Sequence, residues 1–160
     1  MGMTNLPDKL PPQNIEAEKS ILGSILIDKD SIEKVVDILK SDDFYSRQHQ
    51  LIYGAMVGLL EKNEPIDILT VTNKLEEARE LESAGGAAYL TSLLSVTPTS
   101  AHVLNYGKIV QRKKILRDLI DSAHKIVSLG HQEDESIEQI LDQAEQKLFA
   151  VSQRSLTQEF

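Results

Sequence analysis

Apolar residues recur along this chain at intervals of three and four, and no segment sustains an alternation of apolar and polar positions. The first spacing is that of a helix with one buried face; the second would have marked a strand. The chain is therefore expected to be all-α. Asn14 is placed to cap a first helix bearing Ile15, Ala17, Ile21, Leu22, Ile25 and Leu26, with Glu16 and Glu18 favourable in its first turns. Gly23 on that helix allows another backbone to approach. Asp30 with Glu33 reads as a capping signature before a helix with Ile32, Val35, Val36 and Leu39. After Phe44 and Tyr45, Ser46 caps a third helix. Its Leu51, Ile52, Ala55, Met56, Leu59 and Leu60 share one wide face, and Asn63-Glu64-Pro65 ends it. Asp67 caps a fourth helix with Ile68, Val71, Leu75 and Ala78. Ser83-Ala84-Gly85-Gly86 is a turn. A short fifth helix carries Tyr89, Leu90, Leu93 and Leu94, and Thr97-Pro98-Thr99 breaks it and caps the next. Leu51, Ile52, Ala55, Met56 and Leu59 are expected to pack on Ile21, Leu22, Ile25, Val35 and Leu39 as the core.

From Ser100 the pattern changes to two long arms. The first has Ile109, Leu116, Leu119, Ala123 and Ile126 in one stripe, widened by Val110, Ile120 and Val127, and Gly130 stops it. Ser136 restarts a helix as N-cap, with Gln139 completing a capping box, and the second stripe is Ile137, Ile140, Leu141, Ala144, Leu148 and Val151. Each arm can cover only one flank of the other. The stripes ask for more surface than the hairpin offers, so a second copy is the natural partner. The residues expected at that seam are Leu116, Leu119, Ala123 and Ile126 with Ile137, Ile140, Leu141 and Ala144.

The predicted architecture is a compact bundle of about five helices over 13–98 and a protruding two-helix hairpin over 99–151. A flexible arm over 1–12 precedes them, and 152–160, where the apolar period fades, reads as the start of a linker.

Charge adds polarity to the arms. The first carries Lys108, Arg112, Lys113, Lys114, Arg117 and Lys125; the second and its turn carry Glu133, Asp134, Glu135, Glu138, Asp142 and Glu145. The strip Arg112, Lys113, Lys114 and Arg117 has three readings. It could touch nucleic-acid phosphates, pair with Glu138, Asp142 and Glu145 of the same or another copy, or be a solvated face. A net charge of −8 argues against the surface as a whole being a nucleic-acid footprint.

No catalytic chemistry is nominated. The 160 residues contain no cysteine and no G-x-x-x-x-G-K-[ST] string, so neither a thiolate metal site nor that phosphate cradle can be built from them. His49, His102, His124 and His131 are scattered and read as solvent-exposed, with no converging metal set. The paired carboxylates Glu76-Glu77 and Asp42-Asp43 read as solvated surface and helix-end charge. No run of about 18 apolar residues or leader pattern occurs, and a cytoplasmic protein without membrane association is expected.

Taken as strings, these segments resemble a known family. Leu10-Pro11-Pro12-Gln13-Asn14-Ile15-Glu16-Ala17-Glu18 followed by Ile21-Leu22-Gly23 is similar to the opening of bacterial DnaB-type replicative helicases. Asp43-Phe44-Tyr45, then His49 and Leu51-Ile52, then Pro65-Ile66-Asp67 follow in the same order. Gly85-Gly86-Ala87-Ala88-Tyr89-Leu90 and Thr97-Pro98-Thr99 complete the run. The resemblance covers an N-terminal domain and implies a fragment of a longer helicase whose ATPase half, with its ATP and Mg, is absent from these residues. It implies a non-catalytic, all-helical collar: hairpins pair into dimers, dimers form a trimer, and the hexamer engages DNA as a 5'-3' translocase. It also implies primase and a helicase loader as partners. The competing class is a free-standing helical regulator that binds nucleic acid through the basic strip.

Overall fold

The computed structural model describes residues 9–97 and 99–158. These residues form seven α-helices and no strand. The helices are α1 (Ile15–Ile27), α2 (Ser31–Val35), α3 (Arg47–Glu61), α4 (Ile68–Glu77), α5 (Gly86–Val96), α6 (Val103–Gly130) and α7 (Ile137–Gln158), with a single 3-10 turn at Ser41–Asp43. They divide into two compact units, one of residues 14–112 and one containing the arms from Lys113 onward together with the chain before Asn14.

Local chemistry sets most helix ends of the first unit. Asn14 accepts the Ala17 N–H at 2.9 Å. Ser46 accepts the His49 N–H at 3.4 Å. Asp67 and Thr70 form a reciprocal box, each side chain taking the other's backbone N–H at 2.9 Å. Helix α3 ends at Glu61 with Lys62 as its C-cap, and Asn63 just beyond adopts φ 55°. There the Glu64 N–H reaches the Leu59 carbonyl and the Asn63 N–H reaches that of Leu60, the bond pair of a left-handed helix stop. Three local expectations are corrected. Helix α2 is only five residues long, and the Asp30 side chain makes no cap bond to it. Ala78 is the exposed C-cap of α4 rather than part of its buried stripe. Thr99 binds the Ala101 N–H at 3.2 Å in a local turn, and α6 begins only at Val103. Pro98 lies outside the described residues.

The core draws on α1 to α5 and the start of α6. Ile21, Leu22 and Ile25 of α1, Ile52, Ala55, Met56 and Leu59 of α3, and Val35 and Leu39 belong to one buried cluster. Leu51, expected in this core, is only half-buried on the flank of α3. Helix α5 lies close against α1 at Gly23, where an added Cβ would lie 1.9 Å from Thr97 Oγ1 and 2.6 Å from the Leu93 carbonyl oxygen. Only a glycine admits that crossing. The start of α6 also belongs to the bundle. Val103 and Val110 are buried in its core, and Gln111 donates to the Ile38 carbonyl at 3.3 Å. The hairpin had been expected to begin at 99, but the first ten residues of its long helix serve the globular core.

Three titratable side chains are interior. His49, expected to be solvent-exposed, and Glu18, placed from sequence only as a first-turn acid, are each 1% exposed. Glu18 accepts the backbone N–H groups of Tyr45 at 2.7 Å and Ser46 at 3.2 Å, and its Oε1 lies 2.8 Å from His49 Nδ1. His49 Nε2 is hydrogen-bonded to the Tyr89 hydroxyl of α5. Asp43, read as solvated, is buried and accepts the Lys40 N–H at 2.8 Å. These are paired polar groups, which is the condition for burying them.

Candidate interaction surface on the helical arms

The second unit contains the residues expected to carry self-association. Helix α6 ends at Gly130 and α7 begins at Ile137. Ser136 Oγ accepts the Gln139 N–H at 3.3 Å, the expected cap. Asp118, twelve positions before Gly130, is 3.5 Å from Arg154, seventeen positions after Ile137. A contact so placed about a short connection means that the two arms run antiparallel, as a hairpin.

The seam residues are not sealed by this pairing. Leu116, Ile126, Ile140 and Ala144 are half-buried, while Leu119, Ala123, Ile137 and Leu141 are exposed. Leu119 keeps 42% of its surface and Ile137 65%. Ile120, Val127 and Leu148 are exposed beside them, and Leu129 is the buried apolar residue at the closed end. Two large apolar residues outside the stripe read from sequence, Phe149 and Leu156, are also exposed. They lie seven apart on α7, the one helical spacing that could have pointed to them, although the stripe expected from sequence ends at Val151. Isolated exposed apolar residues are ordinary; a run along both arms is the kind of patch that marks an interface.

Three of the seven charged candidates have other partners within this chain. Lys114 pairs with Asp118 at 3.0 Å on its own helix. Arg117 donates to the Pro12 carbonyl at 2.7 Å, tying residues before α1 to the first arm. Asp142 accepts from Gln146 at 3.0 Å. Arg112, Glu138 and Glu145 are exposed, and Lys113 is partly covered. The Asp118–Arg154 pair joins the arms with the acid on the first and the base on the second, opposite to the overall polarity of the two. Half-exposed pairs of this kind orient more than they stabilise. Asp121, fully exposed, is held below the usual carboxylate range by its bond to Lys125.

Among the described residues no group of three or more His, Cys, Asp or Glu side chains is disposed to hold a metal ion. No helix among them is long and apolar enough to cross a membrane. Helix α7 runs on through Gln158, past the point where a linker had been expected to start at 152.

The comparisons with known proteins agree with the fold. The family model described as DnaB-like helicase N-terminal domain matches residues 10–112. The chain is 42% identical over 155 residues to the replicative DNA helicase DnaC of Bacillus subtilis (strain 168), covering 97% of this chain and 34% of that one. It is 40% identical over 147 residues to the replicative DNA helicase DnaB of Geobacillus stearothermophilus, covering 92% and 32%. The chain thus spans about a third of the length of these curated relatives. The crystal structure of the N-terminal domain of DnaB helicase from Mycobacterium tuberculosis superposes with a TM-score of 0.85 at 36% identity, covering 88% of this chain and 99% of that one. A DnaB-like replicative helicase whose structure is described with its interactions with primase shares the fold at a TM-score of 0.75 and 23% identity, covering 88% and 31%. The matched region is an N-terminal domain, and the helicase ATPase domain is not part of it. With a family match over most of its length and a matching fold, the chain belongs to the DnaB-like helicase family, as its N-terminal domain.

Proposed function

We propose that this domain is the non-catalytic collar of a hexameric replicative helicase, and that it assembles through its hairpin. The observation that carries the reading is the apolar surface left open along both arms, from Leu119 and Ala123 to Ile137 and Leu141. If two copies each bury on the order of a few hundred Å² there, at about 25 cal/mol per Å² the gross gain is several kcal/mol, which the cost of association reduces. A concentration-dependent dimer follows, with a trimer of dimers in the full-length ring. In that ring the collar docks primase and a helicase loader, while a separate domain binds ATP and Mg and drives 5'-3' movement on DNA. The primase assignment is supported by the relative described with primase.

Sedimentation across a wide concentration range tests the assembly. The parent chain is expected to dimerise, and Leu119→Asp and Ala123→Glu to remain monomers with unchanged helical circular dichroism. If all three stay equally monomeric in highly concentrated solution, the hairpin is not an assembly surface.

The nucleic-acid alternative loses ground because Lys114 and Arg117 of the basic strip are engaged within the chain. A steep salt dependence of DNA affinity in the isolated domain would revive it.

A further inference from the structure

The chain Glu18–His49–Tyr89, buried at Glu18 and His49 and half-buried at Tyr89, joins three helices, and its hydrogen-bond partners bear on where its protons sit. Both oxygens of Glu18 receive backbone N–H groups, Oε2 from Tyr45 and Oε1 from Ser46. These donors belong to the backbone that leads into α3 and cannot turn away. Glu18 Oε1 also faces His49 Nδ1 at 2.8 Å. A bare Nδ1 lone pair there would oppose the lone pairs of an oxygen, so Nδ1 carries the proton. On an imidazole, the bond made by one nitrogen decides the role of the other. In the neutral ring with its proton on Nδ1, Nε2 is the acceptor, and the hydroxyl beside it belongs to Tyr89. That phenol has a proton to give. Burial, and then the charges of Glu18 and Glu16, push its ionisation above the ordinary tyrosine range. The Tyr89 ring is itself held against the Gly85 turn, where φ is +101° and an added Cβ would lie 2.8 Å from Tyr89 Cβ.

We propose that Tyr89, His49 and Glu18 form a one-way hydrogen-bond relay, Tyr89 donating to His49 Nε2 and His49 Nδ1 donating to Glu18, which latches α5 to the backbone at the start of α3. Its consequence is coupling through the relay. The Tyr45 and Ser46 N–H groups go to Glu18 and the Tyr89 hydroxyl goes to His49, so Tyr89 orients the imidazole that completes the shell of the carboxylate holding those amides. Loosening α5 at Tyr89 therefore loosens the lead into α3. A set of independent bonds would not behave this way, because loss of one would be felt only on its own helix.

Two measurements on the full 160-residue chain decide the matter. Long-range proton–nitrogen correlation spectra of the His49 ring at neutral pH are expected to show a protonated Nδ1 and a bare Nε2. A proton on Nε2, with or without one on Nδ1, overturns the relay. Amide hydrogen exchange of Tyr89→Phe supplies the second. Removing one hydroxyl is expected to speed exchange of the Tyr45 and Ser46 amides by about fivefold, the scale of one lost hydrogen bond. Faster exchange confined to α5 overturns the coupling. Glu18→Gln puts a donor where an acceptor is needed and is expected to release the same two amides more strongly. Should that variant fail to fold, Tyr89→Phe, which keeps the ring, still decides the question.

Discussion

Tyr53 donates its hydroxyl to the Leu39 carbonyl at 3.0 Å inside the core, with its ring 4.8 Å from that of Phe44. Burial, followed by the charges of Asp43 and Asp37, pushes its ionisation far above the usual value. The folded state thus holds this proton more tightly than the unfolded chain does. The stabilisation is fully present below the unfolded value of about 10 and is lost as pH rises beyond it. Urea unfolding between pH 8 and pH 11 should show the parent losing stability at the alkaline end, and Tyr53→Phe should lose less. Tyr89 is shifted in the same direction, so some of the slope will remain in the variant. The two neighbours Ile52 and Leu51 make a sharper contrast. Ile52 is fully buried, whereas Leu51 sits on the flank of α3. Ile52→Ala should cost about 2–5 kcal/mol and Leu51→Ala distinctly less, both read from denaturant midpoints. Equal midpoints would mean that the two side chains bury alike.

At the scale of the helix, close approach and patterning decide what each element can do. Gly23 lies under the C-terminal turn of α5, whose Thr97 Oγ1 donates back to the Leu93 carbonyl at 3.0 Å. Gly23→Ala would force these groups away, and overpacking of this kind costs about 1–3 kcal/mol despite alanine's better helix propensity. A thermal melt equal to the parent's would show that α5 shifts without penalty. The buried faces of α1 and α3 share a register. Glu18 precedes Ile21, Leu22 and Ile25 at the spacing i, i+3, i+4 and i+7, and His49 precedes Ile52, Tyr53 and Met56 in the same way. A polar residue in such a register is a signal of a paired interior group. The register is legible in the sequence, but a first-turn glutamate and a lone histidine each have a commoner place at the surface. The pairing itself was not legible, because Glu18, His49 and Tyr89 come from three helices.

For the molecule as a whole, the absence of a P-loop string in these residues leads to the expectation that the isolated chain shows no saturable ATP binding by calorimetry and no ATP turnover. Saturation accompanied by hydrolysis would place nucleotide chemistry in this domain. Affinity for primase is expected to be weaker in the isolated domain than in a ring, because a ring presents several linked sites. The exposed arms fit that picture. Their apolar edges are unfilled within one chain, and assembly would fill them.

The sequence by itself determined the helical class, most caps, the turn at Gly85-Gly86, the close approach at Gly23 and the two-stripe character of the arms. These follow from local periodicity and from side chains acting within four or five residues of their own position. The tertiary structure alone decided which half-apolar positions were sealed. It left Leu51 on a flank, drew the start of α6 into the bundle through Val103 and Val110, and turned Arg117 toward the Pro12 carbonyl. It also made a first-turn glutamate, Glu18, and a histidine expected to be exposed, His49, into a buried pair. Each of these depends on a partner distant along the chain, and the burial of a polar group depends on whether that partner meets it.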